Sequence, residues 1–177
     1  MAPPLCASDG LVIRAARSSD LVEVAELAAE REGEAFDKWL VAFERTHAEA
    51  LSGRSLLVVA SLAERIIAYG KVGYFASPTD SLPNVAPEGW YLTGVVVRSA
   101  YRRRGLGLQL TVARLAWIRE RSRNAYFFAN ERNRASIELH RAAGFVELTR
   151  DFHFPGAQFE GGSGIMFVCD LHQSTVA

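Results

Sequence analysis

Three arginines and two glycines stand together in the segment AYRRRGLGLQL, Ala100 to Leu110. Glycine has no Cβ and accepts positive φ, so the backbone at Gly105 and Gly107 can approach a ligand closely. The apolar spacing that follows predicts a helix from Gly105 to about Arg121. The first N–H groups of such a helix, its positive dipole end and the guanidinium groups favour an anion, and phosphate above all.

Two common phosphate-binding motifs do not fit this segment. A P-loop requires a lysine followed by Ser or Thr after its second glycine, and neither is present. A dinucleotide-binding fingerprint requires a third glycine, but position 110 is a leucine. Considered alone, the segment also fits a basic turn that binds no ligand.

Two segments together resemble the motifs of a known family and favour a ligand at this turn. VVVRSAYRRRGLGLQL resembles the acyl-CoA-binding motif of the GNAT superfamily of N-acetyltransferases, a strand followed by Arg/Gln-x-x-Gly-x-Gly/Ala at the start of a helix. The matching residues are Arg102, Gly105 and Gly107. NRASIELHRAAGF is similar to the family's Asn-x-x-Ala…Tyr-x-x-x-Gly-Phe segment, through Asn133, Ala135, Gly144 and Phe145. The opening LVIRAARSSDLVEVAEL also resembles the family's first strand and helix.

The resemblance implies acetyl-CoA as the cofactor, with its diphosphate held by a phosphate cradle formed by residues 103–108. Its pantetheine would run beside the preceding strand, and the N–H of Val96 or Val97 would donate to the oxyanion. The cofactor residues implied in this way are Val95, Val96, Val97, Arg102, Arg103, Arg104, Gly105, Leu106, Gly107, Leu108, Asn133 and Ser136.

The sequence departs from the family pattern at two catalytic positions. His140 stands where the family usually has the tyrosine that reprotonates the thiolate. Histidine can donate a proton near neutral pH, but His140 could equally be a packing residue, with water as the proton donor. Phe128 stands where the family's protein-N-terminus acetyltransferases carry a glutamate, which counts against a ribosomal-protein substrate.

Other carboxylates are therefore candidates for the general base. Glu131 follows the predicted strand AYFFAN, and Asp80 and Glu88 belong to the proline-containing loop Ser77–Gly89. A further group of acidic and aromatic residues lies between the first two predicted helices and could bind a polycation. Its members are Glu30, Glu32, Glu34, Phe36, Asp37 and Trp39. Tyr91 and Thr93 alternate along the cofactor strand and could face the acceptor.

Charge and composition exclude several other classes. Residues 1–97 carry 13 acidic and 8 basic side chains, a net charge of −5, whereas residues 98–177 carry 7 and 12, a net charge of +5. A total of zero argues against a nucleic-acid partner. No apolar run approaches the ~20 residues of a membrane span. Neither the two cysteines nor the four histidines show metal-ligand spacing, so no metal is expected. The start MAPPLCASDG lacks the features of a signal peptide, and two lone thiols suit a reducing compartment, so cytoplasmic residence is the expected default.

The order of predicted elements favours an α/β domain. An opening strand is followed by two helices, the second of which covers Glu34–Leu51. A hairpin that turns near Ala63–Arg65 comes next, and a β-α-β-α-β run follows it. The final two strands are expected near Val146–Phe154 and Ile165–Leu171. Ser18, Ser19 and Asp20 are candidate caps of the first helix. We expect one domain, 1–177, with the GNAT-type mixed, mostly antiparallel sheet flanked by helices. The resemblance also admits a homodimer.

These observations predict an acetyl-CoA-dependent N-acetyltransferase acting on a primary amine of a small cationic molecule. Aminosugars, including aminoglycoside antibiotics, and polyamine-like molecules are the candidate acceptors, and a role in antibiotic resistance would follow from the former. A protein or peptide N-acetyltransferase and a non-catalytic acyl-CoA-binding sensor are the alternatives.

Overall fold

A hairpin of two long apolar strands organises the first part of the chain. In the computed structural model, which describes residues 3–78 and 83–172, β2 (Ser55–Leu62) pairs antiparallel with β3 (Arg65–Phe75). The chain turns at Ala63 and Glu64, which both have positive φ (47° and 65°), as a two-residue hairpin turn requires. The preceding strand β1 (Leu11–Ala15) pairs antiparallel with β2.

The remaining elements follow in the predicted order. They are α1 (Leu21–Glu32), α2 (Phe36–Leu51), β4 (Gly89–Val97), α3 (Leu106–Arg119), β5 (Asn124–Asn130), α4 (Arg134–Ala142), β6 (Val146–Thr149) and β7 (Gly164–Asp170). The seven strands form a sheet that is mostly antiparallel, with a parallel pair between β4 and β5. The predicted fold class is confirmed.

The chain divides into two compact units. The first comprises Met1–Gly73 and Thr93–Arg114, and the second comprises Tyr74–Leu92 and Leu115–Ala177, so β3 and β4 contribute residues to both. The organisation of residues 1–177 as a single acyltransferase domain stays a prediction.

The core of the first unit lies between α1, α2 and the strands. Apolar positions at helical spacing in α1, such as Val24, Leu27 and Ala28, are fully buried. They pack with Phe43 of α2 and with strand residues that include Tyr69 and Val96. Burial of these side chains provides most of the stabilisation that holds both helices on the strands.

Aromatic residues dominate the core of the second unit. Tyr91 is 1% exposed, and its ring centroid lies 5.2 to 6.2 Å from those of Phe75, Tyr126, Phe128 and Phe154. In the same unit Trp90 and Trp117 meet edge to face, with ring centroids 4.9 Å apart. Such geometry is the preferred one for aromatic pairs.

Two local predictions are wrong. Asp20 occupies the N-cap position of α1 without capping it, because its carboxylate accepts hydrogen bonds from Arg14 at 2.6 and 2.9 Å and from the N–H of Arg17. The strand expected to reach Phe154 ends at Thr149. Beyond it, the backbone of His153 pairs instead with Asn84 and Ala86.

The described residues contain neither a candidate membrane-spanning helix nor a candidate metal site. Across 3–78 and 83–172, no helix combines the length and apolar character that crossing a membrane requires. Within the same ranges, no group of three or more His, Cys, Asp or Glu side chains is arranged to hold a metal ion.

Candidate active site

The turn between β4 and α3 has the backbone geometry of an anion-binding site. Arg103 and Gly105 adopt positive φ, 57° and 78°, and α3 begins at Leu106. Among the described residues, nothing accepts a hydrogen bond from the N–H groups of the phosphate cradle, residues 103–108. Six N–H donors without an acceptor in the described part of the chain, at the positive end of a 14-residue helix, fit a diphosphate group, so the residues present fit acetyl-CoA.

Residues near the N-terminus, Pro3 and Leu5, hydrogen-bond with this turn and with the first turn of α3. The sequence did not predict these contacts. The N–H of Leu5 donates to the carbonyl of Arg104 at 3.2 Å, and Gln109 Nε2 donates to the carbonyl of Leu5 at 2.9 Å. Arg104 Nε in turn donates to the carbonyl of Pro3. These three contacts fix the start of α3 from outside the motif.

The three arginines of the turn therefore differ. Arg104 is engaged with Pro3, and Arg102 Nε donates to the carbonyl of Val97 at 3.0 Å. Arg103 is exposed, and its guanidinium makes no ion pair or hydrogen bond with any residue that the structure describes. Arg103 is thus the arginine whose charge is available to an incoming phosphate.

A cavity of about 200 Å³ lies beside the C-terminal end of β4. Val96, Val97 and Arg102, all predicted cofactor residues, line it. The remaining lining comes from α1 and from the start of the turn: Leu27, Glu30, Arg31, Arg98 and Ser99. Arg98 and Glu30 form an ion pair across it at 3.0 Å, so the wall from α1 is tied to the turn.

The predicted acceptor residues near the start of α2 fall into two groups. Phe36 and Trp39 pack against the core, and Trp39 stacks on Phe43 with ring centroids 5.9 Å apart. Glu34 and Asp37 are exposed, and Glu34 pairs with Lys38 at 2.7 Å. Glu32, at the end of α1, lies close enough to Tyr69 that its charge adds to burial in raising the pKa of that phenol.

Other predicted acceptor residues already have partners. In the second unit, Glu88 accepts from the hydroxyl of Tyr74 at 2.6 Å, and the buried Tyr91 hydroxyl donates to the carbonyl of Pro87 at 2.7 Å. Thr93 is half-buried and belongs to the first unit. Asp80 lies outside the described residues.

Glu131 and His140 both belong to the second unit. The Glu131 carboxylate accepts from the N–H of Ser163 at 3.0 Å, and this bond is the main cause that lowers its pKa. His140 is 2% exposed and stacks on Phe127 with ring centroids 3.6 Å apart, while its Nδ1 hydrogen bonds with the carbonyl of Ser136. Burial within a ring stack favours the packing alternative for His140.

Asn133 and Ser136, predicted to bind the cofactor, are bonded to each other. The N–H of Ser136 donates to Asn133 Oδ1 at 3.2 Å, which caps the first turn of α4. This hydrogen bond gives both residues a structural role at the start of α4, and their contact with the cofactor stays a prediction.

Sequence reasoning missed a buried arginine in the first unit. Arg114 is 1% exposed, and its guanidinium donates to the carbonyls of Leu110 and Lys71 and to the hydroxyl of Thr111. Thr111 donates onward to the carbonyl of Gly107 in the cradle. The one signal in the sequence was Gly70, because a glycine within a strand can indicate that another group approaches closely. In the structure, a Cβ at Gly70 would lie 3.0 Å from Arg114 Nε.

Comparison with protein families agrees with this geometry. Residues 21–145 match the model of the acetyltransferase (GNAT) family. The chain belongs to this family. No curated protein matches it. Family membership confirms the predicted resemblance, the activity of an acetyl-CoA-dependent N-acetyltransferase, and acetyl-CoA as the cofactor.

Solved structures of the GNAT family share the fold at low identity. YncA from Salmonella typhimurium, solved with its cofactor acetyl-CoA, is 20% identical, with a TM-score of 0.68 over 93% of this chain and 96% of that one. A phosphinothricin acetyltransferase from Sinorhizobium meliloti, in complex with acetyl-CoA, is 16% identical (TM-score 0.68, 94% and 91%). A ribosomal-protein-alanine N-acetyltransferase from Brucella melitensis is 20% identical (TM-score 0.66, 89% and 98%). At these identities the likeness establishes the fold alone.

Proposed function

We propose that this GNAT protein acetylates a primary amine of a small cationic molecule, such as an aminosugar, an aminoglycoside or a polyamine-like compound. The observation that carries this proposal is a pair of uncompensated carboxylates in the unit that holds the phosphate cradle. Glu32 and Asp37, which flank the junction of α1 and α2, form no ion pair with any described residue.

The donor half of the reaction rests on the cradle and on β4. Acetyl-CoA supplies the activated acyl group. The N–H groups of residues 103–108 would bind its diphosphate, with Arg103 adding a charge at the rim. The N–H of Val96 or Val97 would donate to the oxyanion. In acyl transfer, one such donor typically stabilises the transition state by about 3 kcal/mol.

The acceptor half rests on carboxylates at the junction of α1 and α2, in the same unit as the cradle. An ammonium group must lose its proton before it can attack, because only the neutral amine is a nucleophile. Glu32 and Asp37 would attract a cationic acceptor, and Glu32 is the candidate base, since it lies near Tyr69, which packs with Val96. The exposed Glu34–Lys38 pair, worth less than about 1 kcal/mol, could exchange its lysine for a ligand ammonium.

We assign the thiolate's proton to water rather than to His140, given the ring stack around that histidine. A cytoplasmic location, suggested by the sequence, and a homodimer, suggested by the family resemblance, also belong to this proposal.

The test is thiol release from acetyl-CoA with matched acceptors: polyamines, aminoglycosides, aminosugars, neutral and anionic amines, and N-terminal peptides. We expect turnover to be highest with molecules that carry two or more amines. Glu32→Gln and Asp37→Asn should each raise KM for such acceptors by about tenfold, while leaving KM for acetyl-CoA unchanged.

Glu26→Gln provides the matched control, because Glu26 is an exposed carboxylate on α1 that forms no ion pair with the described residues. Turnover confined to anionic amines or to peptides would overturn the proposed acceptor class. Binding of acetyl-CoA without turnover on any of these amines would likewise overturn the proposed acceptor class.

A further inference from the structure

Lys71 is an isolated amine in an apolar strand. It is one of two lysines in the sequence, and it lies in β3, half-buried, with its Nζ 5.6 Å from the centroid of the Phe43 ring. Within the described part of the chain, its ammonium has no carboxylate partner and no hydrogen-bond acceptor. A half-buried cation without an anion is costly, and the face of the Phe43 ring offsets only part of that cost.

The second lysine, Lys38, differs in every respect. Its side chain is 68% exposed, and its Nζ forms an ion pair with Glu34 at 2.7 Å. The chain thus contains its own reference for the behaviour of an ordinary surface lysine.

Gly94 allows the side chain of Lys71 to lie across β4. Gly94 has a φ of +55°, and a Cβ built there would lie 3.4 Å from Lys71 Cε. No side chain therefore separates the end of Lys71 from the backbone of β4, two residues before Val96. The end of the Lys71 side chain thus lies beside the strand whose N–H groups are proposed to hold the acyl oxygen.

The surroundings of Lys71 favour the reactive form of its amine. Burial, and to a lesser degree the charge of Arg45, lower the pKa of Lys71. A lower pKa increases the neutral fraction near physiological pH, and only the neutral amine can attack a thioester.

The backbone around Lys71 is also held in place. Arg114 Nη1 donates to the carbonyl of Lys71 at 3.1 Å, and Arg114 connects through Thr111 to the carbonyl of Gly107 in the cradle. A fixed position relative to the donor site raises the effective concentration of an attacking group.

We propose that Lys71 is acetylated on Nζ by the protein's own acetyl-CoA, a self-modification that rests on the proposed donor site but not on the acceptor class. The neutral nitrogen forms a bond to the acyl carbon, the carbon–sulfur bond breaks, and the sulfur leaves as a thiolate. The proton lost from nitrogen is taken up by the thiolate through solvent. The products are an amide on Lys71 and free coenzyme A, with no other reactant.

The test uses the full-length wild-type protein, freed of any acetyl groups with a deacetylase, incubated with acetyl-CoA and no acceptor. Intact mass should increase by one acetyl group, and peptide mapping should place it on Lys71. Occupancy on Lys71 should exceed that on Lys38 by about tenfold or more. Lys71→Arg should abolish the increase and Lys38→Arg should leave it intact.

A parallel thermal shift with acetyl-CoA separates the two ways to fail. If acetyl-CoA raises the melting temperature while Lys71 stays unmodified, the inference is overturned and the donor site stands. Equal labelling of Lys38 and Lys71 would indicate spontaneous chemistry and would also overturn it. If acetyl-CoA does not bind at all, both the donor site and the self-modification are wrong.

Discussion

The guanidinium of Arg114 donates a hydrogen bond to the carbonyl oxygen of Lys71, 43 residues earlier in the chain, over 3.1 Å. Burial lowers the pKa of Arg114 to about 9, and no carboxylate among the described residues neutralises it. Its N–H groups are satisfied by carbonyls and by Thr111 instead. A single side chain thus links β3 to the helix that begins with the phosphate cradle.

Truncating this link should destabilise the first unit. We expect Arg114→Ala to lower the free energy of unfolding by about 3 kcal/mol, because it opens a cavity and removes the side-chain hydrogen bonds to Leu110, Lys71 and Thr111. Arg114→Met, which keeps most of the volume, should cost less, about 1 kcal/mol. Urea unfolding measures both. Val112→Ala, an exposed site on the same helix, serves as the control, and a similar loss there would contradict this account.

Asp20 should make stability depend on pH in the acid range. Asp20→Asn removes the charge-assisted bonds from Arg14 and should cost about 2 kcal/mol at neutral pH. The hydrogen bond from Arg14 is the main cause that holds the pKa of Asp20 below its ordinary value of 3.8. The contribution is therefore fully present above that value and is lost as pH falls through the lower folded-state pKa.

Urea unfolding of wild type and Asp20→Asn at decreasing pH checks this sign. The two stability curves should converge in acid, since the wild-type carboxylate is then protonated. A difference that persists unchanged would assign the effect to packing rather than to charge.

A branched side chain in the cradle should impair cofactor binding. We expect Gly107→Val to raise the Kd for acetyl-CoA by at least about tenfold, because its methyl groups would stand where the phosphate meets the N–H groups. Isothermal titration calorimetry measures the change. Ala116→Val adds a similar side chain to an exposed site of the same helix and should bind normally. Unchanged binding by Gly107→Val would refute the cradle.

His140 should prove to be a packing residue. His140→Phe keeps the ring stack on Phe127, so we expect kcat within about threefold of wild type and an unaltered pH–rate profile. A general acid typically contributes about a hundredfold or more. A loss of that size, with loss of one limb of the pH profile, would establish His140 as the proton donor.

The sequence predicted the turn and the start of α3 well because their signal is local, whereas phosphate binding at the cradle stays a prediction. Two glycines, three arginines and an apolar spacing occupy adjacent positions, and α3 begins within one residue of the expected start. The fold class followed for a similar reason, since alternation and helical periodicity are properties of short windows.

Contacts between distant residues could not be predicted in this way. Arg104 bonds to Pro3 across 101 residues, and nothing in MAPPL indicates a partner. In the sequence, Lys71 is only a polar residue within an apolar strand. Its proximity to Gly94, which belongs to another strand, becomes visible only in the structure. Asp20 was expected to cap a helix because capping is the local option, whereas Arg14 offers a stronger, bidentate one.

The placement of the tryptophans makes the two units separately observable by fluorescence. Trp39 stacks on Phe43 in the first unit, whereas Trp90 and Trp117 meet edge to face in the second. Replacing Trp90 and Trp117 with phenylalanine would leave an emission that reports on the first unit alone, and replacing Trp39 would leave the second. Comparing the two denaturation midpoints would then show whether the halves of this acetyltransferase unfold as one cooperative body or in sequence.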